Sequence, residues 1–319
     1  MPCYKPLTAW IEAGLTPNGK KRITFHKPLG PMAEIQLPCG QCIGCRLLRS
    51  INWAMRCLHE QSLHDRNCFL TLTYNDENMP NDRSLNHGHI QKFFKRFRKD
   101  ISPRKIRYFM AGEYSPAWRP HYHIIIFGYD FPDKQRTLPG DIGQDYYISP
   151  QCTRLWPQGN HIITDANFDT AAYCARYITK KITGPLAEDH YRRTIIDVDE
   201  VTGEIYFMGD TVLEPEYARM SRGRKSLGQS GSGIGAGWYE KYKSDCYPSD
   251  FLIKDGKKIP VPKYYDKLLE LEEPFKLAQI KQERENRAIL NAAETTPERL
   301  DQRLRCKLAQ QKTLRRDKI

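Results

Sequence analysis

Apolar residues at Leu47, Leu48, Ile51, Ala54, Met55 and Leu58 recur at helical spacing through a proline-free stretch, which predicts an amphipathic helix over 43–62. The period then changes. Cys68-Phe-Leu-Thr-Leu-Thr-Tyr74 is dominated by β-branched and aromatic residues and is closed by Asn75-Asp76-Glu77-Asn78, the pattern of a strand. Ile90, Phe93, Phe94 and Phe97 restore helical spacing within 88–99. Two strands follow, over 106–114 and 121–128, joined by the link Ser115–His121 with its two prolines. A further strand is expected over 160–164. Asp169 is expected to cap a helix over 170–183 that Gly184-Pro185 stops. Strand patterns recur over 205–208 and 216–220, and a short helix is expected over 238–244. The order predicts an α+β fold: an antiparallel sheet with helices on one face.

The flanks differ. Residues 1–40 are rich in glycine and proline and show no clear period, and after Pro262 the chain becomes charged and helix-prone, interrupted at Pro274 and Pro297. Three parts are therefore expected: a cysteine-rich segment plus helix over 1–62, a central domain over 63–250, and a charged, mostly helical appendage over 251–319.

Charge narrows the class of partner. Lys plus Arg is 50 against 38 Asp plus Glu, a net charge of +12, with 18 tyrosines. A basic, tyrosine-rich chain suits single-stranded nucleic acid, whose bases stack on aromatic rings. No apolar run approaches the ~20 residues that span a bilayer. The N-terminus MPCYKPLTAWIEAG lacks a basic region leading into an apolar one, so the protein is expected not to be secreted. Its ten cysteines are then expected to be reduced thiols or metal ligands.

Within this frame two groups carry chemistry. In Pro120-His-Tyr-His-Ile-Ile-Ile-Phe127, His121 and His123 project from one side of a strand. Glu113, on the preceding strand, can be brought alongside by hairpin pairing. Such a set suits Mn²⁺ or Mg²⁺, with positions left for a phosphate oxygen and water. The alternative is two ordinary histidines; His87-Gly-His89 has the same spacing but precedes a helix. In Tyr173-Cys-Ala-Arg-Tyr177-Ile-Thr-Lys180-Lys181, the two tyrosines lie one helical turn apart. They are candidate nucleophiles, with Lys180 and Lys181 placed to favour a phenolate. The alternative is a helix whose tyrosines edge the core.

Two further clusters stand out. Cys39, Cys42 and Cys45 form a tight thiol group to which Cys3 can add a fourth ligand for a structural Zn²⁺, or all four are simply reduced thiols. Lys92, Lys95, Arg96, Arg98 and Lys99 dominate a basic stretch that is either a solvated helix face or a track for a DNA backbone, and Arg119 precedes the histidine strand. No helicase ATPase motif is found.

The segments Phe69-Leu-Thr-Leu-Thr-Tyr74, Arg119-Pro-His-Tyr-His-Ile-Ile-Ile-Phe-Gly128 and Tyr173–Lys181 resemble, in order, the three motifs of the HUH (His-hydrophobe-His) rolling-circle replication initiators of Microviridae phages. Pro38–Arg46, Ala111–Tyr114, Met220-Ser-Arg222 with Gly233-Ile-Gly235 and Trp238, and Val261–Lys267 resemble the gokushovirus form. Gly223–Gly231 lengthens the segment between Met220 and Trp238. The resemblance implies an RRM-like antiparallel sheet as HUH endonuclease core over 63–250, with flanking helices. It implies Mg²⁺ or Mn²⁺ on His121, His123 and Glu113, and attack by tyrosine; Lys180 and Lys181 within one turn make Tyr177 the first choice of nucleophile and Tyr173 the second. A 5′-phosphotyrosine, a free 3′-OH and later rejoining would follow. Phage origin DNA, host helicase and host polymerase would be the partners, in the cytoplasm of the bacterial host, with no membrane. The rival expectation is a non-catalytic, zinc-stabilised protein that binds single-stranded nucleic acid. A plasmid initiator or relaxase of the same chemistry is the runner-up within the enzyme class.

Overall fold

A computed structural model describes residues 3–17, 19, 21–139, 145–177, 181–182, 187–199, 202–222 and 233–313, with backbone only at 138, 139, 177, 197, 198 and 313. The chain runs β1 (Leu7–Leu15), β2 (Lys21–Thr24), β3 (Glu34–Leu37), α1 (Ile43–Gln61), β4 (Asn67–Thr73), α2 (His87–Asp100), β5 (Arg107–Tyr114) and β6 (Pro120–Phe127). It continues through β7 (Gln135–Pro139), β8 (Asp145–Ile148), α3 (Pro150–Leu155), β9 (His161–Thr164), α4 (Phe168–Tyr177), α5 (Ala187–Tyr191), β10 (Arg192–Val198), β11 (Ile205–Val212) and β12 (Tyr217–Met220). It ends with α6 (Ala236–Tyr242), β13 (Phe251–Lys254), β14 (Lys257–Pro260), α7 (Lys263–Glu272), α8 (Pro274–Leu290) and α9 (Pro297–Thr313). Two compact units result, one of residues 1–49 with 269–319 and one of residues 50–268. No helix among the described residues is long and apolar enough to cross a membrane.

The larger unit is built on a seven-stranded antiparallel sheet in the order β12-β5-β6-β4-β9-β8-β7. This is the expected mixed α+β architecture, with one correction: helices cover both faces, not one. The alternation along β6 makes this necessary. Tyr122, Ile124 and Ile126 pack with Ile90, Phe93, Phe94 and Phe97 of α2, while Ile125 and Phe127 pack with Ala54 and Cys57 of α1 and Ala171, Cys174 and Ala175 of α4. A strand apolar on both sides needs a cover on each. The strand also anchors α2 directly. The Tyr122 hydroxyl accepts from Asn86 N at 2.8 Å, and the Asn86 side chain caps α2 by accepting from His89 N at 3.1 Å.

Helix α4 begins differently from expectation. Asn167, not Asp169, is its cap: Asn167 Oδ1 accepts from Thr170 N at 2.9 Å, and the Thr170 hydroxyl accepts in return from Asn167 N at 2.9 Å. The described helix ends at Tyr177. Residues 178–180 and 183–186 lie outside the described residues.

The glycine motif at 233–235 has a structural use. Gly235 sits at φ +83°, and a Cβ there would stand 2.6 Å from the Tyr265 hydroxyl. Its N–H donates to Glu60 Oε2 at 2.8 Å, and Arg56 Nε donates to Ile234 O at 3.0 Å. The Arg56 guanidinium lies 4.0 Å from the ring centres of both Trp53 and Tyr264. Trp238 stacks on His59 at 3.5 Å, and His59 Nδ1 shares a hydrogen bond of 2.8 Å with the Tyr265 hydroxyl. The motifs around Gly233, Trp238 and Tyr264-Tyr265 thus clamp α1, and Ile234 joins the buried cluster that holds Ile125 and Phe127 of the histidine strand.

Burial lowers the pKa of His59 to about 4. An unfolded histidine titrates near 6.5, so this site favours folding fully above pH ~6.5 and loses that contribution as pH falls towards 4, at about 1.4 kcal/mol per pH unit. Denaturation of wild type across pH 7 to 4 is expected to show a steeper loss of stability than His59→Gln. Equal slopes would refute the assignment.

Candidate metal centre

The register of the β5–β6 hairpin sets Glu113 opposite His121 and Ala111 opposite His123. Paired residues share a sheet face, so the carboxylate and both imidazoles meet above Ala111, which leaves room for them. Glu113 Oε1 lies 2.6 Å from His121 Nε2 and 3.0 Å from His123 Nε2. All three ligand atoms lie within 4.8 Å of one another.

The outer nitrogens are already committed. His121 Nδ1 stands 3.2 Å from Arg119 O, a carbonyl that can only accept, so Nδ1 carries the proton. His123 Nδ1 shares a 3.0 Å hydrogen bond with the Thr71 hydroxyl of β4. In neutral His121 the Nε2 lone pair therefore faces the lone pairs of Glu113. That contact is favourable only with a positive charge between them, a proton or a cation. Burial pushes the Glu113 carboxyl up, but with protons on the two Nε2 atoms the imidazoles' hydrogen bonds and charge outweigh it and hold the pKa at about 2. An ionised carboxylate with two imidazole nitrogens is a mixed N/O donor set that could hold a metal ion. Sequence reasoning missed Thr71. Its signal is the alternation Thr71/Thr73 on the strand paired with β6, where Thr71 faces His123.

Helix α4 is docked against this group. Cys174 Sγ donates to His123 O at 3.6 Å, the Ser50 hydroxyl donates to Ala172 O at 2.9 Å, and Gln61 donates to Ala166 O at 2.7 Å. These contacts set the half-buried Tyr173 with its ring edge-on to His123, centroids 5.0 Å apart. The Arg176 guanidinium lies 5.6 Å from the same ring. Tyr177 is the last helical residue, but its side chain, like the whole of Lys180, lies outside the described residues.

Other expected site residues fall elsewhere. Lys181 is exposed and lines a cavity of about 460 Å³ with Leu85, Asn86, His87, Tyr217 and Arg219, away from Glu113 and the histidines. Lys92, Lys95, Arg98 and Lys99 are exposed on α2, which packs on the sheet face opposite the metal group. Arg96 donates to Leu155 O at 2.7 and 3.0 Å. Arg119 pairs with Asp76 at 2.6 Å and donates to Tyr74 O at 3.2 Å. Cys3, Cys39, Cys42 and Cys45 come together as a second group in the smaller unit.

Residues 67–182 match the family described as replication-associated protein ORF2/G2P, a span that holds Glu113, both histidines and both tyrosines. The chain is 32% identical over 310 residues to replication-associated protein ORF2 of Spiroplasma virus 4, covering 89% of this chain and 86% of that protein. It is 28% identical over 274 residues to replication-associated protein VP4 of Bdellovibrio phage phiMH2K, covering 83% and 76% respectively. It is also 26% identical over 242 residues to replication-associated protein ORF4 of Chlamydia phage 1, covering 73% and 53%. No solved structure matches the chain.

Proposed function

The chain belongs to the family of phage replication-associated proteins that includes ORF2 of Spiroplasma virus 4, and from that premise we propose that it starts DNA replication by nicking and rejoining an origin strand through tyrosine. The observation that carries this reading is one carboxylate oxygen shared by two imidazoles at 2.6 and 3.0 Å, with Tyr173 edge-on to His123. The antiparallel sheet with the histidine strand between β4 and β5 supports an RRM-like HUH core within residues 63–250.

A divalent cation held by Glu113, His121 and His123 supplies Lewis-acid polarisation of the scissile phosphate when bound. The chain's own residues do the rest. Arg119 O and Thr71 hold the two rings so that both Nε2 atoms converge. Contacts along α4 set Tyr173 beside that point. A tyrosine oxygen forms the bond to phosphorus as the bond from phosphorus to the 3′ oxygen breaks. The phenol loses its proton and the leaving oxygen gains one, giving a 5′-phosphotyrosine and a free 3′-OH. Reversal by a 3′-OH rejoins the strand with no other reactant. With two tyrosines, Tyr177 and Tyr173, a second cut can precede release of the first. On this reading the partner is phage origin DNA. The host supplies helicase and polymerase, and the protein acts in the bacterial cytoplasm.

Protein, Mn²⁺ and origin oligonucleotide are expected to give a denaturation-resistant protein–DNA adduct that a Tyr173→Phe/Tyr177→Phe double variant does not form. An adduct undiminished in the double variant, or none with wild type, would sink the proposal. A purely binding protein would instead keep all its DNA transactions in His123→Ala.

A further inference from the structure

We propose that Cys3, Cys39, Cys42 and Cys45 bind one Zn²⁺ as four thiolates, and that this ion fastens the N-terminal sheet. The site is independent of the histidine centre and lies wholly within residues 1–49 of the smaller unit.

Geometry comes first. The four sulfurs lie within 4.8 Å of one another. Cys3 Sγ is 3.6 Å from Cys39 Sγ and 3.8 Å from Cys42 Sγ. A tetrahedron with Zn–S bonds of ~2.3 Å has edges of ~3.8 Å. A disulfide would hold its sulfurs ~2.05 Å apart, and all four cysteines are free. An iron–sulfur cluster of several irons would spread the ligands further than a single ion does.

Local structure is arranged around the sulfurs. Backbone N–H groups donate to three of them: Tyr4 to Cys42 at 3.3 Å, Cys39 to Cys3 at 3.3 Å and Cys42 to Cys39 at 3.2 Å. Donors aimed at sulfur stabilise thiolates rather than thiols. Gly40 takes φ +74°, a left-handed turn that wraps the chain between Cys39 and Cys42. Cys42 precedes α1 and Cys45 lies in its first turn, so the two face the same point. Binding converts four thiols and Zn²⁺ into a tetrathiolate centre of charge −2, with four protons released to solvent. Lys5, Arg46 and Arg49 flank the ligands in sequence and oppose that charge. A tetrahedral S₄ set suits zinc or a single iron, and the divalent series favours zinc over Fe²⁺.

The sheet explains why an ion is needed. Strands β2-β1-β3 are closed between Cys3 and Cys39, yet Ala9 is the only fully buried residue among them. So thin a core is typical of small units held by a metal. The ion joins ligands 36 residues apart and closes the loop that contains all three strands.

The full-length protein purified in the absence of chelator tests this. It is expected to hold about one zinc per chain that titration with a mercurial releases together with four thiols. Cobalt(II) exchanged into wild type is expected to give thiolate-to-cobalt charge transfer and the intense visible bands of a tetrahedral site. A His121→Ala/His123→Ala variant keeps this metal, and Cys39→Ser/Cys42→Ser loses it. Chelation is expected to raise proteolytic cleavage within residues 7–37 by at least about tenfold. Absent charge transfer, an iron–thiolate chromophore or paired disulfides on thiol counting would overturn the zinc site. Unchanged proteolysis after chelation would overturn its fastening role.

Discussion

Glu113→Gln is expected to lower the rate of covalent adduct formation by at least about a hundredfold, with the fold intact. The substitution keeps shape and one carbonyl oxygen but removes the charge that two imidazoles converge on, at 2.6 and 3.0 Å. Glutamine remains neutral at any pH, whereas Glu113, held at about 2, is anionic across the working range. The loss should therefore persist from pH 6 to 9 and be only partly relieved by raising Mn²⁺. Thr71→Val grades the same effect. It frees His123 to rotate without touching the ligand atoms, and losses from such orienting partners run at about 10–100-fold. Rates of adduct formation against Mn²⁺ concentration, with thermal unfolding in parallel, measure both. A Glu113→Gln rate within about threefold of wild type would remove the metal centre from the proposed chemistry.

The largest effect on stability is expected from Glu60→Ala, a loss of about 3–5 kcal/mol. Glu60 is buried on α1 and accepts from Arg107 at 2.8 and 3.0 Å, from His64 at 3.0 Å and from Gly235 N at 2.8 Å. Burial alone would raise its pKa, but these bonds reverse that and hold it below the usual range. Alanine removes the one carboxylate on which Arg107, His64 and Gly235 N converge. Since domains are stable by only ~5–15 kcal/mol, such a loss is readily seen in urea denaturation. Removing both groups, in Glu60→Leu/Arg107→Leu, should recover part of the loss, because no cation then stands beside the missing carboxylate. A single-variant loss under about 1 kcal/mol would show that water reaches Arg107 and replaces the carboxylate.

Much of this site was legible before any coordinates. Period 2 along 68–74, 106–114 and 121–128 located β4, β5 and β6, and hairpin pairing is enough to set Glu113 beside the histidines. Long periodic stretches are legible because one face must be buried. The weaker parts fail for the same reason. Strands β1 to β3 bury almost nothing, so their pattern carries little signal, and β7 and β8 are short strands at one end of the sheet, with β7 its edge. Cover on both faces of the sheet follows from Ile124, Ile125 and Ile126 in sequence, but the run does not say which helix covers which face. Asn167 and Asp169 are both good caps, and only the hydrogen-bonding partner decides between them. The glycines at 233 and 235 read as a loop; their contacts with Glu60 and Tyr264 are long-range and carry no local pattern.

Ligand placement across the β5–β6 hairpin makes tolerance to insertions and deletions sharply dependent on position. Added residues in the Ser115–Arg119 turn leave the pairing of Glu113 with His121 unchanged, because the strands beyond the turn keep their register. One residue added between Ala111 and Glu113, or between His121 and His123, sends a ligand to the opposite face, where α2 packs. Length variation among functional homologues is therefore confined to even steps within these strands or to the turn itself, a rule that alignment gaps alone can check.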